Sequence, residues 1–350
     1  MKYYALGNSH IEVSEICLGS MTWGTQNDQK DANAQIEQAL QAGINFIDTA
    51  EMYAVPPTAD TYGSTETIIG HWLKANRSRR GEFTLATKIA GNGLAWIRKG
   101  ADIDGPGITR SIDASLARLQ TDYIDLYQLH WPNRPSPHFS KHWPGILTFS
   151  EVDTGKQEDG MLEILQALDQ AMQAGKIRHF GLSDDTPWGI GTYLRLAREH
   201  GLPRPVSIQN EFSLLHAKDW PYLIETCVHE NIAYLPWSPL AGGVLSGKYI
   251  DGARPPGTRW CKAQRNGFFR DTEGVNEAVK AYAGIASRHG MSPAQLALAW
   301  CRGVDGVTST IIGATSPVQL EENIAAFNLE LPEDVLDEIN RTLRRYPLPF

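Results

Sequence analysis

The chain has 350 residues and a formal net charge of −8. A chain this long buries an ample core without disulfides or metals, and its acidity argues against nucleic acid or an anionic membrane as partner. No apolar run approaches 18 residues, MKYYALGNSHIEVSE has no signal-peptide core, and Cys17, Cys227, Cys261 and Cys301 form no CxxC pair, so the expected setting is the reducing cytoplasm.

Residues 3–6 and 11–13 flank the turn cluster Gly7-Asn8-Ser9 and predict a β-hairpin. Residues 16–19 form a compact apolar run, a first buried strand, and 31–42 show helical periodicity ending at Gly43. Short apolar runs then alternate with helical segments. Strands are predicted at 45–48, 83–88, 124–130, 177–183, 206–209, 232–237 and 310–313. The helices fall over 64–74, 108–119, 161–174, 187–200, 220–229, 276–289 and 317–326. Strands apolar on both faces belong in a parallel sheet covered by helices. Eight alternations predict a (β/α)8 TIM barrel, one α/β domain over 1–350, with an N-terminal β-hairpin and extra helices at 293–302 and 333–344. A doubly wound open sheet is the alternative. Segments 131–159 and 238–273 exceed the pattern, and loops of such length are often functional.

In this architecture chemistry occurs at the C-terminal ends of the strands. Those ends are Asp48, Lys88, His130, Ser183, Gln209, Trp237-Ser238 and Gly313, so nearly every strand hands a polar group to one rim. Tyr53 follows Asp48 in NFIDTAEMY. A phenol, with a pKa of about 10, is a weak proton donor unless it is assisted. A buried Lys88 paired with Asp48 would stabilise the phenolate and lower the Tyr53 pKa, while Asp48 would keep Lys88 charged. His130, closing IDLYQLH, is placed to donate to a carbonyl oxygen. The plainer readings are a lysine reaching solvent and a structural histidine. Against them, all four residues fall on consecutive strands two, three and four. Glu51 is an unassigned carboxylate, expected to be a local structural partner.

Asp48 and Tyr53 in IDTAEMY, Lys88 in LATK and His130 in LYQLHWP resemble the catalytic tetrad of the aldo-keto reductase superfamily. The resemblance covers almost the whole chain. VPPTADTYGSTETIIGHWL and GATSPVQLEEN look most like the bacterial Tas-type reductases, and more distantly the chain is similar to the potassium-channel β subunits. The resemblance implies an NADPH-dependent reductase of small aldehydes or ketones. Tyr53 would be the general acid, His130 would orient the carbonyl, and Asp48 and Lys88 would tune Tyr53. The alternative is an NADP(H)-binding sensor or scaffold with little turnover, like the channel subunits. In those the histidine position carries Asn, whereas this chain has His130. A barrel lyase using Lys88 as a Schiff base is a third reading, and the Tyr53/His130 pair argues against it.

No GxGxxG follows a strand, so a Rossmann nucleotide site is not expected. The resemblance assigns Ser183, Asp184 and Gln209 to the nicotinamide carboxamide, with Asp184 where Asn is common. It assigns Trp237 to stacking on the nicotinamide ring. Met21, Asp48, Ser238, Leu240 and Lys248 match further cofactor contacts, Arg259 a basic residue at the adenosine 2′-phosphate, and Gly313, Thr315, Gln319, Glu322 and Asn323 the last part of the cradle. From Gly242 to Lys248 the sequence fits GxxxxGK, but Tyr249 stands where a Walker A loop needs Ser or Thr. As a pyrophosphate-wrapping segment the stretch makes sense, because glycines let backbone N–H groups approach anionic oxygens. In the long insert, Trp131, Phe139 and Trp143 are expected to line the substrate pocket. His138 and His142 have helical metal-ligand spacing but sit among prolines, so no metal is expected.

Overall fold

The computed structural model describes residues 1–137, 139, 141–261 and 268–350. An antiparallel hairpin, β1 (Tyr3–Ala5) and β2 (Glu12–Ser14), precedes eight parallel strands. These are β3 (Ile16–Gly19), β4 (Phe46–Asp48), β5 (Thr84–Ile89), β6 (Ile124–Leu129), β7 (Ile177–Ser183), β8 (Ser207–Gln209), β9 (Ala233–Tyr234) and β10 (Thr310–Ile312). They pair in chain order, and β10 pairs with β3. The ring closes between β9 and β10. Thr308 N–H donates to the Tyr234 carbonyl and Ile311 N–H to the Pro236 carbonyl, both at 2.9 Å. The fold is therefore the predicted (β/α)8 barrel with its N-terminal hairpin. β9 is shorter than the run at 232–237, because Pro236 has no N–H to give to the ladder.

The pleat sorts the barrel interior into layers. Cys17, Phe46, Ala86, Leu126, Ala233, Leu235 and Ile311 pack with Leu6 and Val13 of the hairpin segment, which plugs the N-terminal end of the barrel. Two residues further along three neighbouring strands, Asp48 follows Phe46, Lys88 follows Ala86 and Gln128 follows Leu126. The register sets Asp48 against Ala86 and Lys88 against Gln128. One layer up, the apolar interior thus gives way to polar groups, all buried.

The helices α1 (Gln29–Gln41), α2 (Ser64–Ala75), α3 (Gly105–Leu119), α4 (Thr154–Gln173), α5 (Pro187–His200) and α6 (Tyr222–Glu230) follow the strands in turn. α4 begins seven residues before its predicted start, with Asp153 as N-cap accepting from Lys156 N–H at 3.0 Å. The polar first turns, TGKQEDG, carry no apolar periodicity that could reveal them. Past β9 the expectation needs correction. Of α7 (Glu273–Arg288) and α8 (Pro293–Gly303), the second is the barrel helix. Every residue from Leu296 to Cys301 is buried, Trp300 stacks on Phe212 at 5.4 Å, and the Cys301 thiol lies 3.9 Å from the Thr310 hydroxyl of β10. α7 buries one face only and packs outside, against α8 and α10 (Glu333–Arg345). Both segments carry helical apolar periodicity, so the pattern alone does not say which of the two lies on the barrel. α9 (Pro317–Ala325) completes the ring against α1. Among the described residues no helix is long and apolar enough to cross a membrane.

Candidate active site

Asp48, Tyr53, Lys88 and His130 meet at the C-terminal rim. Lys88 is fully buried, and its ammonium donates to Asp48 Oδ2 at 2.5 Å and to the Thr49 carbonyl at 2.8 Å. Asp48 Oδ1 accepts from Gln128 Nε2 at 3.0 Å and from Gln209 Nε2 at 2.9 Å. Gln209 Nε2 also donates to Gln128 Oε1 at 3.0 Å, so the two amides brace each other across the carboxylate. Lys88 Nζ lies 5.1 Å from the centroid of the Tyr53 ring. The Tyr53 and His130 rings meet edge to face, 5.7 Å apart and 79° inclined.

Burial pulls the Lys88 ammonium down, but Asp48 and Tyr53 outweigh it, and the net shift is upward. Lys88 stays a cation. For Tyr53 the expected lowering does not prevail. Burial pushes the phenol up, Lys88 pulls it down, Asp48 adds to the rise, and the net direction is upward. The group is held as a neutral phenol, the form that has a proton to give. Lys88 acts in the expected sense but is outweighed by the loss of water around the anion.

The loop bearing Tyr53 runs along β5. Thr49 N–H donates to the Ala86 carbonyl at 2.9 Å and Glu51 N–H to the Lys88 carbonyl at 3.1 Å. Trp131 and Phe139 meet edge to face at 6.2 Å, and Phe139 reaches Trp237 at 6.1 Å, forming an aromatic wall beside His130. The Trp131 indole N–H donates to the Asn92 carbonyl at 3.2 Å, over Gly91, where a Cβ would stand 2.1 Å from that nitrogen. Trp143 is turned elsewhere, donating to the Phe350 carbonyl at 3.0 Å, and so does not join the wall. His138 lies outside the described residues. His142 packs against His216 and Phe350, and burial pulls it down to about 4.

Of the predicted cofactor residues, Ser183, Asp184, Gln209 and Trp237 come together. Ser183 Oγ donates to the Gln209 carbonyl at 2.8 Å, and the Trp237 indole N–H donates to Asp184 Oδ1 at 3.2 Å. Asp184 is buried in a left-handed conformation (φ 49°), and burial pushes its carboxyl well above the usual range, with Glu211 and Asp219 adding to the rise. Asp184 and Trp237 line a cleft of about 280 Å³ together with Phe139, His142 and Asp219.

Ser238 and Leu240 lead from there into a turn whose Gly242 and Gly243 take positive φ (69° and 95°). A Cβ on Gly243 would stand 2.9 Å from Lys248 Nζ, and one on Gly242 would stand 3.5 Å from Arg259 Nη1. Arg259 also contacts Met21 Sδ at 3.8 Å. Burial pulls both cations down, with Arg259 adding to the fall of Lys248 and Arg270 to that of Arg259. Neither has a carboxylate partner among the described residues. Two cations without a carboxylate partner over a half-buried glycine turn suit an anion such as a phosphate. Gln319 and Asn323 brace the neighbouring turn. Gln319 Oε1 accepts from Thr315 N–H at 3.0 Å, and Asn323 Nδ2 donates to the Gly313 carbonyl at 3.2 Å. Gly313, Thr315 and Glu322 are exposed.

Sequence reasoning missed Gln128. Its signal was the period of two in IDLYQLH, which puts Gln128 on the same face as Leu126 and His130.

Residues 15–344 match the Aldo/keto reductase family. The chain is 44% identical over 353 aligned positions to Protein tas of Escherichia coli (strain K12), covering 100% of this chain and 99% of that protein. It is 30% identical to the Uncharacterized oxidoreductase YrpG of Bacillus subtilis (strain 168), with 97% and 95% covered. Over 250 positions it is 36% identical to an Aldo-keto reductase of Babesia bovis, with 69% and 87% covered.

Proposed function

Because this chain belongs to the aldo/keto reductase family, a family of oxidoreductases, we propose that it is a cytoplasmic, single-domain, NADPH-dependent reductase of small aldehydes or ketones. The observation that carries this reading is a neutral phenol, Tyr53, set beside a buried ammonium and an imidazole at one rim.

The residues fit a nicotinamide dinucleotide. Trp237 would hold the ring, Ser183 and Asp184 the carboxamide, and Lys248, Arg259 and the Gly242–Gly243 turn the phosphates. NADPH, when bound, supplies the hydride. The remaining chemistry belongs to the protein. His130 orients the carbonyl oxygen toward Tyr53. Tyr53 gives its proton to that oxygen as the carbonyl becomes an alcohol, and Lys88 stabilises the phenolate left behind. Asp48, with Gln128 and Gln209, fixes Lys88 against the phenol. Trp131 and Phe139 give the carbonyl's substituents an apolar wall to pack on. Unpaired cations at the phosphate end favour NADPH over NADH, since Arg grips a phosphate bidentately.

The test is label transfer. With NADPH carrying deuterium at both C4 positions and a small aldehyde, the alcohol should gain one mass unit. Unlabelled alcohol, or no alcohol across a panel of aldehydes and ketones, would overturn the reading.

A further inference from the structure

Glu51 stands two residues before Tyr53 and is fully buried, yet the chemistry above gives it no part. Its carboxylate is saturated by donors from separate segments. Oε1 accepts from Ala90 N–H at 2.8 Å and from Arg98 Nη1 at 2.7 Å, both in the loop after β5. Oε2 accepts from the Tyr62 hydroxyl at 3.0 Å and from Ser111 Oγ on α3. Arg98 in turn donates to the Ala90 carbonyl. The Tyr62 ring is itself fixed, with the Arg118 guanidinium 5.1 Å from its centroid. The Glu51 backbone is held on both sides, its N–H by the Lys88 carbonyl at 3.1 Å and its carbonyl by Gly63 N–H at 2.8 Å. Tyr53 N–H donates to the Ala50 carbonyl at 3.1 Å, so residues 50–53 form a tight turn built around Glu51.

We infer that Glu51 is a positioning residue for the proton donor, fastening the Tyr53 turn to the β5 loop and α3 so that the phenol is set against Lys88 and His130 before substrate arrives. The inference rests on the reading of Tyr53 as the acid. A buried carboxylate with four donors cannot shift without stripping several of them at once. The turn is short, so any displacement of Glu51 passes to Tyr53 through the main chain. Misplacement of a reacting group by about 1 Å costs on the order of a hundredfold in rate.

Glu51→Ala should lower kcat about a hundredfold while the carbonyl KM and the NADPH dissociation constant stay within about threefold. Glu51→Gln keeps an acceptor for Ala90 and Arg98 and offers its amide to the two hydroxyls, so it should return to within about tenfold of the parent. Should the alanine variant not fold, Glu51→Asp keeps the charge but withdraws it by one methylene, and should lose about tenfold in kcat. A readout independent of turnover is the Tyr53 13Cζ resonance of the free protein, which should move in the alanine variant and return in the glutamine variant.

Asp125 provides the structural control. It is a buried carboxylate that accepts from Leu85 N–H at 2.9 Å and Arg80 Nη2 at 2.7 Å, at the start of β6 and the far end of the barrel. Asp125→Ala should lower the melting temperature while leaving kcat within about threefold. Unchanged kcat and an unmoved resonance in Glu51→Ala would overturn the inference, as would an equal loss of kcat in Asp125→Ala. If Tyr53→Phe keeps full activity, the reading of Tyr53 as acid fails whatever Glu51 does. If Tyr53→Phe abolishes activity and Glu51→Ala does not lower it, only the positioning role fails.

Discussion

Lys88→Met removes the ammonium beside Tyr53 while keeping most of the side-chain volume. Lys88 Nζ lies 5.1 Å from the centroid of the Tyr53 ring. At an effective dielectric of about 20, a charge pair at that separation is worth roughly 3 kcal/mol. That is the support the developing phenolate loses, and it corresponds to about a hundredfold in rate. The phenol, already pushed up by burial, would rise further. Asp48 loses its counter-ion but keeps the Gln128 and Gln209 amides. Breaking a buried pair costs about 3–5 kcal/mol, and the retained amides place this variant near 3. With about 2.1 cal/mol/K of unfolding entropy per residue, a chain of this length should melt about 4 °C lower. The pH dependence has a definite sign. The Lys88 pKa is raised in the fold above its ordinary 10.5, so the stability it contributes is complete below 10.5 and is lost as pH rises through the folded value. The methionine variant should lack that alkaline decline. The assays are single-turnover NADPH oxidation with an aldehyde and melting curves against pH. An unchanged single-turnover rate would refute the electrostatic role of Lys88, and an alkaline decline preserved in the variant would refute its pairing.

Asp184 titrates in the same sense, from a lower starting pH. Burial raises its carboxyl above the ordinary 3.8, so the folded protein holds a proton that the unfolded chain has released, and this group's contribution to stability falls as pH rises from 3.8 through the folded value. Asp184→Asn should flatten that slope in melting temperature, and parallel curves for parent and variant would contradict the assignment. At the phosphate end, charge-assisted hydrogen bonds are worth about 1.5–3 kcal/mol each. Replacing Lys248 and Arg259 by Gln should therefore weaken NADPH binding by at least about tenfold, and NADH binding much less, as read by fluorescence titration. Equal affinity of the parent protein for the two cofactors would remove the basis for the preference.

Much of the barrel could be read from alternation alone, because strands such as Ile177–Ser183 and helices such as Pro187–His200 carry strong local signals. Elements that tertiary contacts define were harder. α8 reads as an add-on because two helical segments follow β9 and only their packing tells which lies on the barrel, and the start of α4 is hidden in polar turns. The tetrad was legible because its members sit at strand ends of fixed period. Gln128 had no role in that reading and Glu51 only that of a local structural partner, because hydrogen-bond partners from α3, the β5 loop and β8 cannot be paired from chain position. The net upward shift of Tyr53 was also out of reach, since it depends on how far burial outweighs one cation. Trp143 shares the composition of the pocket wall, but the chain terminus claims its indole.

The most direct measurement compares the parent protein with Tyr53→Phe in NADPH oxidation against a small aldehyde, with NADPH affinity measured on both. If Tyr53 is the proton donor, turnover disappears in the variant while the NADPH dissociation constant stays within about threefold. A phenylalanine variant that turns over at the parent rate would show that the proton comes from elsewhere.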